Sequence, residues 1–143
     1  MTGVQTCALP ILAELDKVVL PYHLAAATQA AGTVALEYRE EMAARVRELV
    51  GERERLFAAL ERIDGVDPVP SGANFLLFRV GAPGDPMTAR AVWERLVAHR
   101  VLVRDFSSWP GVEGCLRVTV GTRAENDVFV AALAIAVRES GAR

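Results

Sequence analysis

Apolar residues recur at helical spacing from Leu24 to Leu49, while charged residues take the opposite face. This pattern is typical of one long amphipathic helix. Gly51 interrupts the pattern, which then resumes until Asp64 and Gly65 predict a turn. We therefore predict a long helix that bends or restarts at Gly51.

Short apolar runs predict the strands of a sheet in the second half of the chain. The run from Asn74 to Phe78 favours a central strand that is buried on both faces. Residues 101–103 predict a second strand. Residues 116–120 alternate between apolar and polar side chains and predict a third strand.

Two further helices are predicted around these strands. Asp85 as an N-cap and Pro86 at the first helical position predict the start of one helix. Thr122 and Glu125 have the spacing of a capping box ahead of the last helix. The order helix, strand, helix, strand, strand, helix predicts an α/β fold in which helices cover a small sheet.

Composition and charge limit the class of function. The 143 residues are 52% hydrophobic and 24% charged, as in a globular domain. A net charge of −2 provides no basic field for nucleic acid or an anionic membrane surface, and no apolar stretch reaches the roughly 20 residues that cross a bilayer. Two cysteines and two histidines lack zinc-ligand spacing, so we expect no metal site.

Residues 1–11 differ in character from the rest of the chain. The stretch from Val4 to Ile11 resembles a translated sequencing adapter, GTT CAG ACG TGT GCT CTT CCG ATC. It also lacks the cationic and apolar segments of a secretory signal. We expect residues 1–11 to be a non-native segment.

Two arginines are the main candidates for chemistry. Arg117 lies on the alternating strand, on the face opposite to its apolar neighbours, and Arg104 ends the preceding strand. If the strands are neighbours, the two guanidinium groups converge on one edge of the sheet. A planar guanidinium group donates paired N–H hydrogen bonds, which match the oxygens of phosphate or carboxylate. Alternatively, each arginine pairs with a local acid such as Asp105 or Glu113.

Four motifs, in order, resemble the C-terminal part of the histidinol-phosphate aminotransferase family. They are LPYHL at 20–24, SGANF at 71–75, VLVRD at 101–105 and GCLRVTVGT at 114–122. The resemblance implies that residues 12–50 form the end of a large-domain connection and a long interdomain helix. It implies that residues 51–143 form the small C-terminal domain of a fold-type I aminotransferase, with helices packed on a small mixed sheet.

The resemblance also implies an activity that depends on pyridoxal phosphate. Such enzymes move an amino group between L-histidinol phosphate and 2-oxoglutarate in histidine biosynthesis. Their Schiff-base lysine lies in a Ser-Lys motif, which this chain lacks. Its one lysine, Lys17, matches no such motif. We therefore assign no catalytic residue, expect the chain to be inactive alone, and expect a cytoplasmic homodimer for the full-length protein.

By their motifs, Arg104 and Arg117 match the family's two substrate-gripping arginines. Asn74 and Tyr22 are weaker candidates, expected to support the site or to pack near it. Loss of a large domain would also leave the apolar face of the 24–49 helix exposed and prone to association.

Two other interpretations stay open. The chain could belong to another member of the superfamily, such as a threonine-phosphate decarboxylase or an aromatic aminotransferase. It could instead be a stand-alone, non-catalytic module that binds anions through Arg104 and Arg117.

Overall fold

The computed structural model describes residues 3–19, 24–81 and 88–141, with side chains in the first range from residue 10 onward. The helices are α1 (Gly3–Asp16), α2 (Ala26–Ala35), α3 (Arg39–Leu60), α4 (Ala89–Ala98) and α5 (Arg123–Gly141); the strands are β1 (Val66–Val69), β2 (Phe75–Val80), β3 (Arg104–Asp105) and β4 (Cys115–Thr119). The chain divides into two compact units, residues 1–42 and 43–143. The domain boundaries predicted from the sequence stay predictions.

The first unit contains α1, α2 and the start of α3. Helix α1 includes most of the segment that we expect to be non-native, with Pro10 inside it. This helix was not predicted from the sequence. No residue of α2 is buried. Within the described ranges, none of the helices is both long and apolar enough to span a membrane.

The predicted restart at Gly51 is wrong, because α3 continues through this residue; the predicted bend there stays a prediction. A Cβ added at Gly51 would meet no atom within 4 Å, so the glycine serves no close approach. Packing of the later residues Leu56 and Leu60 in the core outweighs its low helix propensity. The helical pattern is interrupted instead at Leu36–Tyr38, a short 3-10 turn between α2 and α3.

The four strands form one sheet in the order β1-β2-β4-β3. Every pairing is antiparallel, so the α/β class is confirmed but the sheet is not mixed as we predicted. Strand β1 was not predicted, because Pro68 breaks the apolar pattern. An edge strand tolerates proline, and β1 is an edge strand.

Strand β2 is central, as predicted, but it is not buried equally on both faces. Leu76, Phe78 and Val80 are buried, whereas the alternate residues are half-buried or exposed.

The predicted strand at 101–103 is also wrong, since the paired residues are Arg104 and Asp105. The carbonyl of residue Val103 instead accepts a hydrogen bond of 2.9 Å from the indole of Trp93.

The hydrophobic core joins the sheet to the helices of the second unit. Its largest fully buried side chains come from α3, β2, α4, β4 and α5: Leu56, Leu60, Leu76, Phe78, Val92, Leu96, Leu116 and Leu133. Each large apolar side chain stabilises the fold by about 1.5–3 kcal/mol when fully buried. This core fixes β4 and therefore the position of the residues on its opposite face.

Helix caps set where α4 and α5 begin. The Thr88 hydroxyl caps α4 by accepting from the Ala91 amide at 3.2 Å, and the helix begins at Ala89. The predicted start at Pro86 is therefore wrong; Asp85 and Pro86 themselves lie outside the described residues. The capping box of Thr122 and Glu125 is confirmed, with the Thr122 amide donating to the Glu125 carboxylate at 2.8 Å.

A buried amide joins α3 to the end of β4. The side chain of Asn126 is 2% exposed and donates to Glu52 and to the Gly121 carbonyl, at 3.0 Å each. Its oxygen accepts from the Gly121 amide at 3.0 Å. Glu52 also accepts from Arg55, so these charged residues of α3 form a partly buried network.

Candidate anion-binding site

Arg104 and Arg117 lie directly opposite one another on β3 and β4. Leu116 and Val118 are buried on the core face of β4, which sends Arg117 to the other face. Cross-strand partners share one face of a sheet, so the side chain of Arg104 stands on that face as well. The predicted convergence of the two arginines is therefore present.

Aromatic rings surround the Arg117 guanidinium. Its Cζ lies 5.0 Å from the ring centre of Phe75 and 5.5 Å from that of Phe106. The Cζ of Arg104 lies 6.0 Å from the same Phe106 ring. The Trp109 ring meets Phe106 edge-on, with centres 4.9 Å apart. These rings hold the two cations by cation–π attraction without neutralising their charge.

The nearby acids do not neutralise the arginines. Asp105 accepts from Arg90 at 3.1 Å and from the Ser107 amide at 2.8 Å. Burial raises the pKa of Asp105, but the hydrogen bonds from Ser107 and Arg90 outweigh it, so the pKa is lowered and the carboxylate stays ionised. The Glu113 carboxylate accepts from the Gly111 amide at 3.1 Å. The local-acid alternative is therefore not what the structure shows.

Neither the Arg104 nor the Arg117 side chain has a hydrogen bond or an ion pair with any residue that the structure describes, although the backbones of the two residues pair in the sheet. The Nε of Arg117 is moreover buried and without a hydrogen-bond partner among those residues. A buried unpartnered donor is costly, and a bound anion would satisfy it or its neighbouring guanidinium nitrogens. Neither guanidinium thus has a direct acidic partner among the described residues, since the neighbouring Asp105 carboxylate is paired with Arg90.

An open cavity of about 590 Å³ lies beside the pair. Trp93, Arg104, Trp109, Arg117 and Thr119 are among its lining residues. Two guanidinium forks in one cavity provide parallel N–H donors, which match the oxygens of a phosphate or carboxylate. The aromatic side chains give the same cavity an apolar wall.

A second cavity of about 630 Å³ lies between residues 100–103 and α5, but its chemistry is weaker. Leu102, Val128 and Phe129 give it apolar walls. The buried amide of Asn126 lines it and already has its hydrogen bonds within the fold. This cavity presents no pair of convergent donors among the described residues, so the arginine site is the better candidate.

The structure gives Asn74 no contact with the two arginines. Asn74 is exposed and lies just before β2, where its carbonyl accepts from the Val120 amide at 2.9 Å. None of its described contacts involves Arg104 or Arg117. Tyr22 lies outside the described residues, so its predicted role stays a prediction.

The described residues do not fit a site for pyridoxal phosphate. Lys17, the sole lysine of the sequence, lies in an exposed ion pair with Glu14 at 2.5 Å. A Schiff-base lysine needs an enclosed, partly desolvated setting to lower its pKa. We therefore assign no cofactor-holding residue and derive no cofactor chemistry from this chain.

Cys115 is not a nucleophile in this site. Its side chain is buried on β4, two positions before Arg117. Burial raises the pKa of the thiol, so it stays protonated near neutral pH.

The sequence did not predict that the rings of Phe75 and Phe106 contact the arginines. Phe75 stands in an apolar run that reads as core, and Phe106 and Trp109 lie in the loop after Arg104. The available signal was that two aromatic residues follow an arginine within one loop. Its meaning depended on the register between β3 and β4.

Residues 2–133 match the family model described as "Aminotransferase class I and II". Over 124 residues, the chain is 41% identical to the histidinol-phosphate aminotransferase of Aquifex aeolicus. The match covers 86% of this chain and 34% of that protein. The match to the family model includes most of residues 1–11, and the prediction that this segment is non-native stays a prediction.

Two solved structures resemble the fold. One is the histidinol-phosphate aminotransferase of Sinorhizobium meliloti in complex with pyridoxal-5'-phosphate, with a TM-score of 0.69, 26% identity, and coverage of 88% of this chain and 33% of that one. The other is the L-threonine-O-3-phosphate decarboxylase of Porphyromonas gingivalis, with a TM-score of 0.64, 27% identity, and coverage of 79% and 34%. The chain spans about a third of the length of each of these three proteins.

Proposed function

Because the chain belongs to the class I and II aminotransferase family, we propose that it is the substrate-recognition part of a histidinol-phosphate aminotransferase. The complete enzyme transfers an amino group between L-histidinol phosphate and 2-oxoglutarate, and it is a cytoplasmic homodimer that uses pyridoxal phosphate. The 41% identity to a histidinol-phosphate aminotransferase supports this choice of substrate. The residues of this chain contribute binding and orientation, and the cofactor is held by residues outside it.

One observation carries the proposed role of the chain, namely the pairing of Arg104 with Arg117 across β3 and β4 without an acidic partner among the described residues. The phosphate of histidinol phosphate accepts hydrogen bonds from both guanidinium groups. In the second half of the reaction, the carboxylates of 2-oxoglutarate occupy the same positive site. One site thus serves two substrates whose shared feature is an anion.

The geometry lets each arginine contribute separately to binding. A hydrogen bond to a charged group contributes about 1.5–3 kcal/mol, which corresponds to roughly 10- to 150-fold in affinity. Arg117 is the more constrained of the two, because it lies between Phe75 and Phe106 and is half-buried. We therefore expect its loss to cost more than the loss of the exposed Arg104.

The test is a chimera in which residues 12–143 replace the matching third of the Aquifex aeolicus enzyme. We expect transamination of histidinol phosphate, and we expect Arg117→Gln to raise KM for this substrate by at least about 10-fold. The control is Arg138→Gln on the exposed surface of α5, which should leave KM unchanged. An Arg117→Gln chimera with the KM of the parent would contradict the proposed role.

The same chimera separates the alternatives within the superfamily. The likeness to L-threonine-O-3-phosphate decarboxylase favours a phosphorylated substrate as well. Release of carbon dioxide from threonine phosphate, at a higher kcat/KM than transamination of histidinol phosphate, would move the assignment to that enzyme. A preference for aromatic amino acids without phosphate would instead indicate an aromatic aminotransferase.

The chain alone should be inactive. With pyridoxal phosphate and histidinol phosphate added, we expect no turnover. Robust turnover by the chain would overturn the proposal that the cofactor is held elsewhere.

A further inference from the structure

The Phe106 ring contacts both cations of the candidate site. Its centre is 5.5 Å from the Cζ of Arg117 and 6.0 Å from the Cζ of Arg104. Phe75 faces Arg117 alone, at 5.0 Å. Among the described aromatic residues, Phe106 is therefore the one that the two guanidinium groups share.

The backbone, rather than the arginines, fixes the position of Phe106. Its amide donates to the Cys115 carbonyl at 3.1 Å, and its carbonyl accepts from the Trp109 amide at 2.9 Å. The Trp109 ring then meets the Phe106 ring at 86°, which restricts rotation of the phenyl group. The ring is thus placed before any ligand arrives.

The two arginines need a group that offsets their repulsion, because two like charges directly opposite on a sheet repel each other. The ring face carries negative partial charge and attracts cations. Phe106 thereby offsets part of the repulsion between Arg104 and Arg117 and keeps both beside the same cavity. An acidic residue would offset the repulsion as well, but it would compete with the substrate anion.

We propose that Phe106 is a positioning residue, whose ring holds the guanidinium groups of Arg104 and Arg117 ready for one phosphate group. This inference rests on the proposed function, in which the two arginines bind the substrate phosphate. Phe106 donates nothing to the ligand itself. Its effect on binding passes through the arginines and depends on its aromatic face.

The test compares binding of inorganic phosphate by the full chain and its variants, measured by ³¹P NMR titration. Phe106→Leu removes the ring but remains apolar, and we expect its affinity to fall about fivefold. Phe106→Tyr keeps the ring and should restore affinity to within about twofold of the parent. The control is Phe57→Leu on α3, a partly buried phenylalanine that packs against the core and does not line the arginine cavity.

A second readout reports the contact itself. Ring currents of Phe106 displace the Nε–Hε resonances of Arg104 and Arg117, so Phe106→Leu should move both resonances in the unliganded chain, whereas Phe57→Leu should move neither. Phe106→Met gives the same comparison should the leucine variant fail to fold.

The outcomes separate the two proposals. Parental phosphate affinity in a folded Phe106→Leu or Phe106→Met chain, with Arg117→Gln still impaired, overturns the role of Phe106 and leaves the proposed function standing. Equal phosphate affinity in the parent and in Arg117→Gln, or no binding by the parent, overturns both. A loss in the leucine variant that tyrosine restores supports the inference.

Discussion

The side-chain amide of Asn126 on α5 donates to the carboxylate of Glu52 on α3, 74 residues earlier in the chain, at 3.0 Å. The same amide also holds both backbone groups of Gly121, just beyond the end of β4. One buried side chain therefore joins a helix of the core to the strand that carries Arg117.

Asn126→Ala should destabilise the second unit strongly. It leaves the amide and carbonyl of Gly121 without their partner, at a cost of about 2–3 kcal/mol in the free energy of unfolding. The measurement is urea unfolding followed by circular dichroism. Asp127→Ala is the matched control, because it removes only the exposed end of an ion pair with Arg55, worth about 0–1 kcal/mol. Similar losses in both variants would contradict the role given to Asn126.

Two glycines should respond in opposite directions to alanine. A Cβ at Gly121 would lie 2.7 Å from the Glu125 carboxylate, which caps α5 through Thr122, so Gly121→Ala should cost about 1 kcal/mol. A Cβ at Gly51 meets nothing within 4 Å, so Gly51→Ala should stabilise α3 by about 0.5–1 kcal/mol. Thermal unfolding of both variants decides, and a stabilised Gly121→Ala chain would show that the cap is dispensable.

The stability of the chain should fall in acid. The hydrogen bond from Arg55 lowers the pKa of Glu52 below 4.5, and the amide of Thr122 lowers that of Glu125 in the same way. A lowered pKa in the folded state gives stability that is present above the unfolded value and is lost as the pH falls through the folded value. The urea concentration at the midpoint of unfolding should therefore decrease once the pH is below about 4.5.

The control for this acid dependence is Glu125→Gln, which cannot ionise. Its stability should be lower at neutral pH and should change less between neutral pH and acid than that of the parent. An unchanged pH profile in this variant would mean that the capping carboxylate does not contribute.

The fold was predictable from the sequence wherever local chemistry and packing agree. The alternation of β4 and the capping box at Thr122 are examples, since both follow from spacing within a few residues. The helix through Gly51 was not predictable, because distant core contacts decide it. Strand β1 was not predictable for a similar reason. Pro68 is acceptable only in an edge strand, and the position of a strand at the edge depends on the whole sheet.

The candidate site shows the same division. The sequence placed Arg117 on a strand and Arg104 at the end of the preceding strand. The register of β3 with β4 brings the two arginines together. The aromatic support from Phe106 was not visible. It arises from a loop that folds back through the Cys115 carbonyl, a contact that no periodicity encodes.

The chain should associate through its first unit. Leu36 is 71% exposed and Met42 is 54% exposed, and no residue of α2 is buried. We expect light scattering to detect oligomers and a hydrophobic dye to bind. Leu36→Glu with Met42→Glu should reduce both signals more than Leu102→Glu in the second unit, where Leu102 is 80% exposed. A monodisperse monomer without dye binding would contradict this prediction.

The most direct test of the central claim is to follow the Nε–Hε resonances of Arg104 and Arg117 while histidinol phosphate is added to the chain. Single Arg→Gln variants assign the two signals, and Arg138 serves as the internal control. If the two arginines hold one phosphate, both signals will shift along the same saturation curve while that of Arg138 stays fixed. A shift of one signal alone, or two curves with different midpoints, would contradict the claim that the pair binds a single anion.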